Sequence, residues 1–222
     1  MNLNSEKTAT EPGQIDTRTQ ILEAAGAVFA SVGFRDATVR EICHRAGVNI
    51  AAVNYHFGDK ETLYREVLRY SQTLAFTQYP PLLEVSPEAP PEERLRAFLH
   101  SWLLRTFSPG AIAWHGQLIS REMVDPTGVL DEIVRDKIHP LSVQLRGIVG
   151  EILGRPPGDE AVRLCTLSIV GQCVFYHHCR PVLTRLFPQQ PPLDTLGTER
   201  LADHITRFSL AAMRHLAAPA TV

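Results

Sequence analysis

The stretch from Thr38 to Gly58 constrains this 222-residue chain more than any other. It packs two short apolar periodicities on either side of a glycine, which leaves room only for two brief helices and a tight turn. Thr38 followed by Glu41 is a capping box, in which the hydroxyl accepts from the backbone at Glu41 and the carboxylate can reach back. Val39, Ile42, Cys43 and Ala46 then form one apolar face. Gly47 stands where a left-handed residue is needed to end a helix, and Val48 supplies an apolar contact beyond it. Asn49 is a good cap for the second helix, whose apolar side is Val53 and Phe57. Two helices joined this way make a helix-turn-helix, the motif that lays its second helix in the major groove of DNA.

Longer helices bracket the motif. Thr17 with Gln20 reads as a second capping box, and Ile21, Leu22, Ala25, Val28 and Phe29 form the stripe behind it. That helix is expected to stop at Gly33, with Phe34 packing back as in a Schellman ending. Gly58 closes the second short helix, and Asp59 can cap a fourth that carries Leu63, Tyr64, Val67 and Leu68 on one side.

This pattern, together with Tyr55-His56-Phe57-Gly58-Asp59-Lys60-Glu61, resembles the tetracycline-repressor (TetR) family of transcriptional regulators over residues 15 to 75. The resemblance implies an all-α homodimer of about nine helices. A three-helix helix-turn-helix head is joined to a C-terminal helical domain that binds a ligand and dimerises. The C-terminal half is similar to the CecR (YbiH) subgroup in Gly116-Gln117-Leu118-Ile119-Ser120-Arg121-Glu122-Met123, Asp125-Pro126-Thr127 and Val170-Gly171-Gln172-Cys173. Subgroup resemblance implies control of efflux or antibiotic-response genes. The expected organisation is a disordered polar arm over 1–14, a DNA-binding domain over 15–75, and a ligand-binding and dimerisation domain over 76–222.

A helix N-terminus presents free N–H groups and the positive end of a dipole, so it suits phosphate. Thr38 and Lys60 each sit at such an end, while Tyr55 and His56 close the recognition helix and can donate to phosphate oxygens. The family resemblance implies backbone contacts at Thr38, Tyr55, His56 and Lys60, and a groove-facing surface at Asn49, Ile50, Ala51, Ala52 and Asn54. Here the chain departs from the commonest pattern, which places a lysine where this chain has Ile50. The apolar Ile50-Ala51-Ala52 surface can meet thymine methyls but cannot form bidentate bonds to guanine. Arg40 and Arg45 on the preceding helix are the remaining candidates for polar readout. Plainer roles stand beside these: Tyr55 as a core aromatic, Lys60 as a solvated lysine, Arg40 and Arg45 as partners of Glu41, and Asn49 as a cap alone. The formal net charge is -2, which argues against a polybasic, nonspecific binder.

Beyond the head, Pro80-Pro81 and Pro87 to Pro91 mark a linker. A helix resumes at Glu92 through Leu95, Phe98, Leu99, Trp102 and Leu103, and Pro109-Gly110 interrupts it. Residues 111 to 124 read as another helix, stopped by Asp125-Pro126. A long helix follows from about Gly128 to Leu153, with Leu130, Val134, Ile138, Leu141, Leu145, Ile148 and Ile152 in heptad-like steps and a kink at Pro140. Residues 159 to 176 are apolar on nearly every side and so must be surrounded. After a Pro-rich segment at 188 to 192, a last helix runs from about Thr198 to Ala217 with Leu201, Ile205, Phe208 and Ala212 facing one way.

The last two helices therefore suit a four-helix contact between protomers, as relatives form theirs, with Gly171 and Cys173 small enough for close approach. A two-fold dimer would set two recognition helices about 34–36 Å apart, in successive major grooves of a palindromic operator. An effector site is expected among the middle helices, with Trp102, His115, Arg121, Gln172, Tyr176 and His177 as candidate lining residues. His177-His178-Cys179 does not make a metal site, because adjacent helical residues diverge by about 100°. Cofactor and metal are both expected to be absent. The chain shows no nucleophile elbow, phosphate loop or HExxH pattern, so an enzyme is not expected. Four cysteines without zinc-knuckle spacing read as free thiols in a reducing cytoplasm. A polar N-terminus without a signal peptide agrees, and no window supplies the roughly 20 apolar residues that cross a bilayer. The leading expectation is a ligand-released repressor; the alternative is a helical protein-interaction module whose helix-turn-helix no longer reads DNA.

Overall fold

The computed structural model describes residues 16–108, 114–189 and 195–217, and every regular element among them is a helix. The expected arm over 1–14, the Pro109-Gly110 break, the first residues of the helix expected from 111, and residues 190–192 of the Pro-rich segment lie outside the described residues. Among the described residues each of the nine expected helices has a counterpart, one of them divided in two, and one short helix is added. The chain divides into two compact units, Met1–Val67 and Leu68–Val222.

The first unit holds α1 (Thr17–Asp36), α2 (Val39–Ala46), α3 (Ile50–Phe57) and the first two turns of α4 (Lys60–Gln78). Asp16, not Thr17, caps α1: its carboxylate accepts from the Thr19 amide at 3.0 Å and the Thr19 hydroxyl at 3.1 Å. A carboxylate one residue upstream is the better partner for a helix N-terminus, so it displaces the expected threonine cap. At Gly33 the helical path breaks (φ 86°, ψ 170°), and Phe34 turns back onto Phe29 and Tyr64, with centroids 6.2 and 4.9 Å away.

The turn of the motif forms as its residues require. The Thr38 hydroxyl accepts from the Glu41 amide at 3.1 Å. Gly47 adopts the left-handed conformation (φ 67°, ψ 29°), and the Val48 amide donates to the Cys43 carbonyl at 3.0 Å. Asn49 then caps α3 through the Ala52 amide at 2.9 Å, and Asp59 caps α4 through the Thr62 amide at 2.7 Å. Ile42, Val53, Phe57, Leu63, Tyr64 and Val67 close the unit's core.

The second unit is built around α5 (Pro91–Phe107), which packs against α6 (His115–Val124), α8 (His139–Leu153), α9 (Glu160–His178) and α11 (Thr195–Ala217). Pro91 opens α5 at its first turn, where a missing N–H costs nothing. The expected single helix over 128–153 is resolved into α7 (Leu130–Ile133), a π turn (Val134–Ile138) and α8. Pro140 has no N–H and crowds the preceding turn, so the backbone opens ahead of it. The His139 amide accordingly reaches the Val134 carbonyl, five residues back. The inserted residue rotates the register, and Val134 leaves the predicted stripe for solvent.

Two other expectations are corrected. In α11, Leu201 and Ile205 face the core, but the buried line continues through Ser209 and Met213, leaving Phe208 and Ala212 outside. After α9, residues to which the sequence reading assigned no element form α10 (Arg180–Leu186), which buries none of its side chains within the chain. A Cβ at position 47 would touch nothing within 4 Å, so Gly47→Ala tests backbone strain alone. It should cost the head about 1–2 kcal/mol, read as an earlier midpoint of its unfolding transition.

Candidate nucleic-acid interface and cavity

α3 is fastened by one face and bare on the other. Val53 and Phe57 are buried, and the guanidinium of Arg18 sits 5.3 Å above the Phe57 ring while paired with Glu66 at 2.6 Å. A step of about 100° per residue then forces Ile50, Ala51, Asn54 and Tyr55 outward together. Tyr55 is 85% exposed, with its ring edge-on to His56 at 5.1 Å, so a core role for this aromatic is excluded. Ala52 and His56 are half-buried at the rim of this face. Thr38, Arg40, Arg45 and Asn49 are all exposed on α2 or at the turn. Together these side chains form a small polar and methyl-bearing surface, dense in hydrogen-bonding groups and free of acid on α3 itself.

Lys60 is not a free surface lysine. Its ammonium donates to the carbonyls of Arg35 (3.2 Å) and Ala37 (3.0 Å) and lies 4.7 Å from the Phe34 ring centroid. It therefore ties the start of α4 to the α1–α2 corner with two of its three protons. No sequence pattern signalled this second task, because it depends on where the Gly33 break sends the chain.

In the second unit, α4, α5, α6, the π turn, α8 and α9 surround a cavity of about 130 Å³. Trp102, His115 and His177 line it, as expected from the sequence. Arg121, Gln172 and Tyr176 do not. α6 turns Gly116, Ile119, Ser120 and Met123 inward at helical spacing, which carries Arg121 to the exposed side. Gln172 points to Ser209 at 3.3 Å, and Tyr176 packs on the apolar core. Sequence reading missed Phe76, Arg105 and Lys137, which also line the cavity. For Arg105 a signal existed: it is the lone Lys or Arg from Ala97 to Phe107, directly after the apolar run Trp102-Leu103-Leu104.

A Cβ on Gly116 would come within 2.8 Å of the Thr106 carbonyl, so glycine is what lets α6 approach α5 here. His115 is buried beside it, its Nδ1 3.0 Å from the Ser71 hydroxyl, and burial followed by the Arg105 charge pushes its pKa from 6.5 down to about 4. Among the described residues no three His, Cys, Asp or Glu side chains gather as a metal site, and the four cysteines are free thiols. No described helix is long and apolar enough to cross a membrane.

Comparison with known proteins places these two surfaces in context. Residues 21–67 match the model of bacterial regulatory proteins of the tetR family, and residues 91–213 match the C-terminal domain of the HTH-type transcriptional dual regulator CecR. The chain is 29% identical over 168 residues to CecR of Shigella flexneri, covering 72% of this chain and 74% of that protein. It is 28% identical to the HTH-type transcriptional repressor NicS of Pseudomonas putida, covering 96% and 99% respectively. The fold is shared with the ketosteroid transcriptional regulator KstR2 of Mycobacterium tuberculosis (TM-score 0.62, 21% identity, 90% of this chain and 96% of that one). It is shared also with AibR, solved in complex with isovaleryl coenzyme A and operator DNA (TM-score 0.64, 18% identity, 87% and 97%).

Two outcomes follow from this geometry. Tyr55→Ala should leave the melting temperature within about 1 °C, because the ring touches little, yet weaken binding to duplex DNA of any sequence. Lys60→Ala should lower both, by about 1–2 kcal/mol in head stability, since two carbonyls lose their donor. Thermal melts paired with filter binding check both; a Tyr55→Ala protein that binds normally removes that residue from the interface. The second outcome concerns pH. His115 has a folded pKa below its unfolded value, so its contribution is complete above pH 6.5 and is lost as pH falls toward about 4. His115→Gln should flatten this acid limb of the stability curve, which amounts to on the order of 3 kcal/mol at full protonation. An unchanged limb in a pH series of melts would show that His115 does not titrate there.

Proposed function

We propose that this chain, which belongs to the tetR family of bacterial regulatory proteins with a CecR-type C-terminal domain, is a DNA-binding transcriptional regulator controlled by a small molecule. The observation that carries the reading is the exposed face of α3, where Ile50, Ala51, Asn54 and Tyr55 are presented by a helix anchored through Val53 and Phe57. Thr38, Tyr55, His56 and Lys60 hold the phosphates on either side, Arg40 adds polar contact from α2, and Asn49 and Ala52 border the groove. Backbone contacts set the register and the α3 face reads bases. The methyl-rich part of that face favours thymine methyls.

The operator is a palindrome, because the regulator is a homodimer. α9 turns Leu164, Leu167, Gly171 and Phe175 outward in one line, with Leu167 57% exposed. α11 adds Phe208, 61% exposed, beside Ala211 and Ala212. Large apolar side chains in two such lines on packed helices favour a self-complementary four-helix interface. Cys173, by contrast, is buried within the protomer and takes no part. The division of labour runs from residue 15 to about 75 for the head and from 76 onward for effector binding and dimerisation. The protein works in the cytoplasm as a repressor, released when the cavity fills. The names of its relatives support a regulator rather than an enzyme.

Selection of bound fragments from genomic DNA by the purified protein tests this reading. The expected product is one palindrome with half-site centres about one helical turn apart. Leu167→Glu combined with Phe208→Glu should keep the helical content, since both side chains are exposed, but yield monomers in sedimentation and lose palindrome affinity by about 100-fold or more. Enrichment of no sequence at all would leave a helix-turn-helix that does not read DNA.

A further inference from the structure

The cavity holds a charge that its walls do not answer. Arg105 is 3% exposed. Its Nη1 donates to the Tyr79 carbonyl at 2.8 Å and to the Ser101 hydroxyl at 2.5 Å, while Nη2 is buried without a hydrogen-bond partner. The guanidinium lies 4.4 Å from the centroid of the Phe76 ring, and the Lys137 ammonium lies 5.3 Å from the same centroid. Phe76, Arg105 and Lys137 all line the cavity, and no Asp or Glu does. The segment 109–113, between α5 and α6, reads Pro-Gly-Ala-Ile-Ala and so contains no acid either. Burial lowers the Arg105 pKa only to about 10, so the group stays charged at neutral pH. A buried cation with an unpaired N–H is costly, and a chain that keeps one beside a cavity has a use for it.

The rest of the wall fixes what the counter-charge must carry. Trp102, Ile119, Met123, Ile133, Ile138 and Leu141 are apolar and surround the charged corner. The volume of about 130 Å³ is close to that of an engineered cavity of roughly 150 Å³ that accepts benzene. His115, neutral at pH 7, adds no charge of its own.

We infer that the cavity takes a small organic monocarboxylate, with one ring or a chain of several carbons, whose carboxylate is held by Arg105 with Lys137 beside it. This deepens the reading of the cavity as the effector site and rests on it. A carboxylate is acceptor-only and planar, and matches the fork of a guanidinium. A neutral amide would leave the charge standing, and an amine would be repelled by both cations. The apolar body sits against Trp102 and Ile119, where it replaces water.

The test uses the full-length dimer and two matched sets of probes: benzoate, phenylacetate and hexanoate against benzamide, phenylacetamide and hexanamide. Calorimetry without DNA reads binding, and release of the selected palindrome reads function. At least one acid should bind about tenfold or more tighter than its amide. Arg105→Gln should erase that preference, and its retained affinity for the amides shows that the cavity persists although the Tyr79 carbonyl and the Ser101 hydroxyl lose a charged donor. Lys137→Met, at a half-buried site outside the core, should reduce it with the fold intact. Equal binding of acids and amides, binding of neither set, or an acid preference that survives both variants overturns the inference. Acids that bind without releasing DNA leave the anion site standing and refute the effector reading instead.

Discussion

Helices of eight residues do not persist alone in water, because the cost of nucleation is spread over too few hydrogen bonds. α2 and α3 are both of that length, so each exists only through what it buries. Ile42 and Cys43 anchor one, Val53 and Phe57 the other, in a unit that also holds the ring cluster of Phe29, Phe34 and Tyr64. Burial of side chains this size is worth about 1.5–3 kcal/mol each, so that together they outweigh the caps and the turn that orient them, at about 1 kcal/mol apiece. Presentation of the α3 face is therefore a consequence of core packing rather than of helix propensity. Lys60 belongs to the same arrangement, since its two carbonyl contacts hold the corner from which α2 departs. A residue expected at the DNA backbone thus also stabilises the element that reads the bases.

The second unit follows the opposite logic. Its core is made by long helices whose periodicity needs little help, and its irregularities gather around the cavity. Ile133 from α7 and Lys137 and Ile138 from the π turn line that space, and Gly116 brings α6 against α5 on another side. π turns inside α-helices are found disproportionately at functional positions. Here the cause is local and chemical: Pro140 forbids the regular ladder, and the surplus residue swings Lys137 into line with the cavity. The polar groups there are unequal. His115 sheds its charge on burial, whereas Arg105 cannot do so at neutral pH.

Much of this is legible in the amino-acid sequence. Caps and glycines in the head act over three or four residues, so Thr38, Gly47, Asn49 and Asp59 could be assigned their roles from spacing alone. The Asp16 cap was missed because threonine and aspartate compete for the same post, and only the backbone decides between them. The α11 stripe failed at Phe208 for a different reason. A helix that is apolar on two sides has two candidate stripes, and sequence cannot tell the core side from an outward one. Within the cavity, Trp102, His115 and His177 announced themselves as polar or amphipathic breaks in apolar faces. Arg121, Gln172 and Tyr176 carried the same signal and lie elsewhere, since a turn of 100° decides inward or outward and the pattern around them was ambiguous. Arg105 escaped because a charge in a helix is ordinarily read as solvent-facing.

α4 carries residues of both kinds of site. Leu63, Tyr64 and Val67 belong to the core of the head, while Gln72 and Phe76, two and three turns further on, line the cavity. A ligand shifts any binding equilibrium only by favouring one conformation of a protein over another, however tightly it binds. Couplings of this kind are usually about 1–3 kcal/mol, a 5–150-fold change in affinity. One charge-assisted hydrogen bond at a buried guanidinium is of the same size, about 1.5–3 kcal/mol. A single contact to Arg105 could therefore supply the whole signal, provided its geometry depends on the position of Phe76, the ring on which that guanidinium rests.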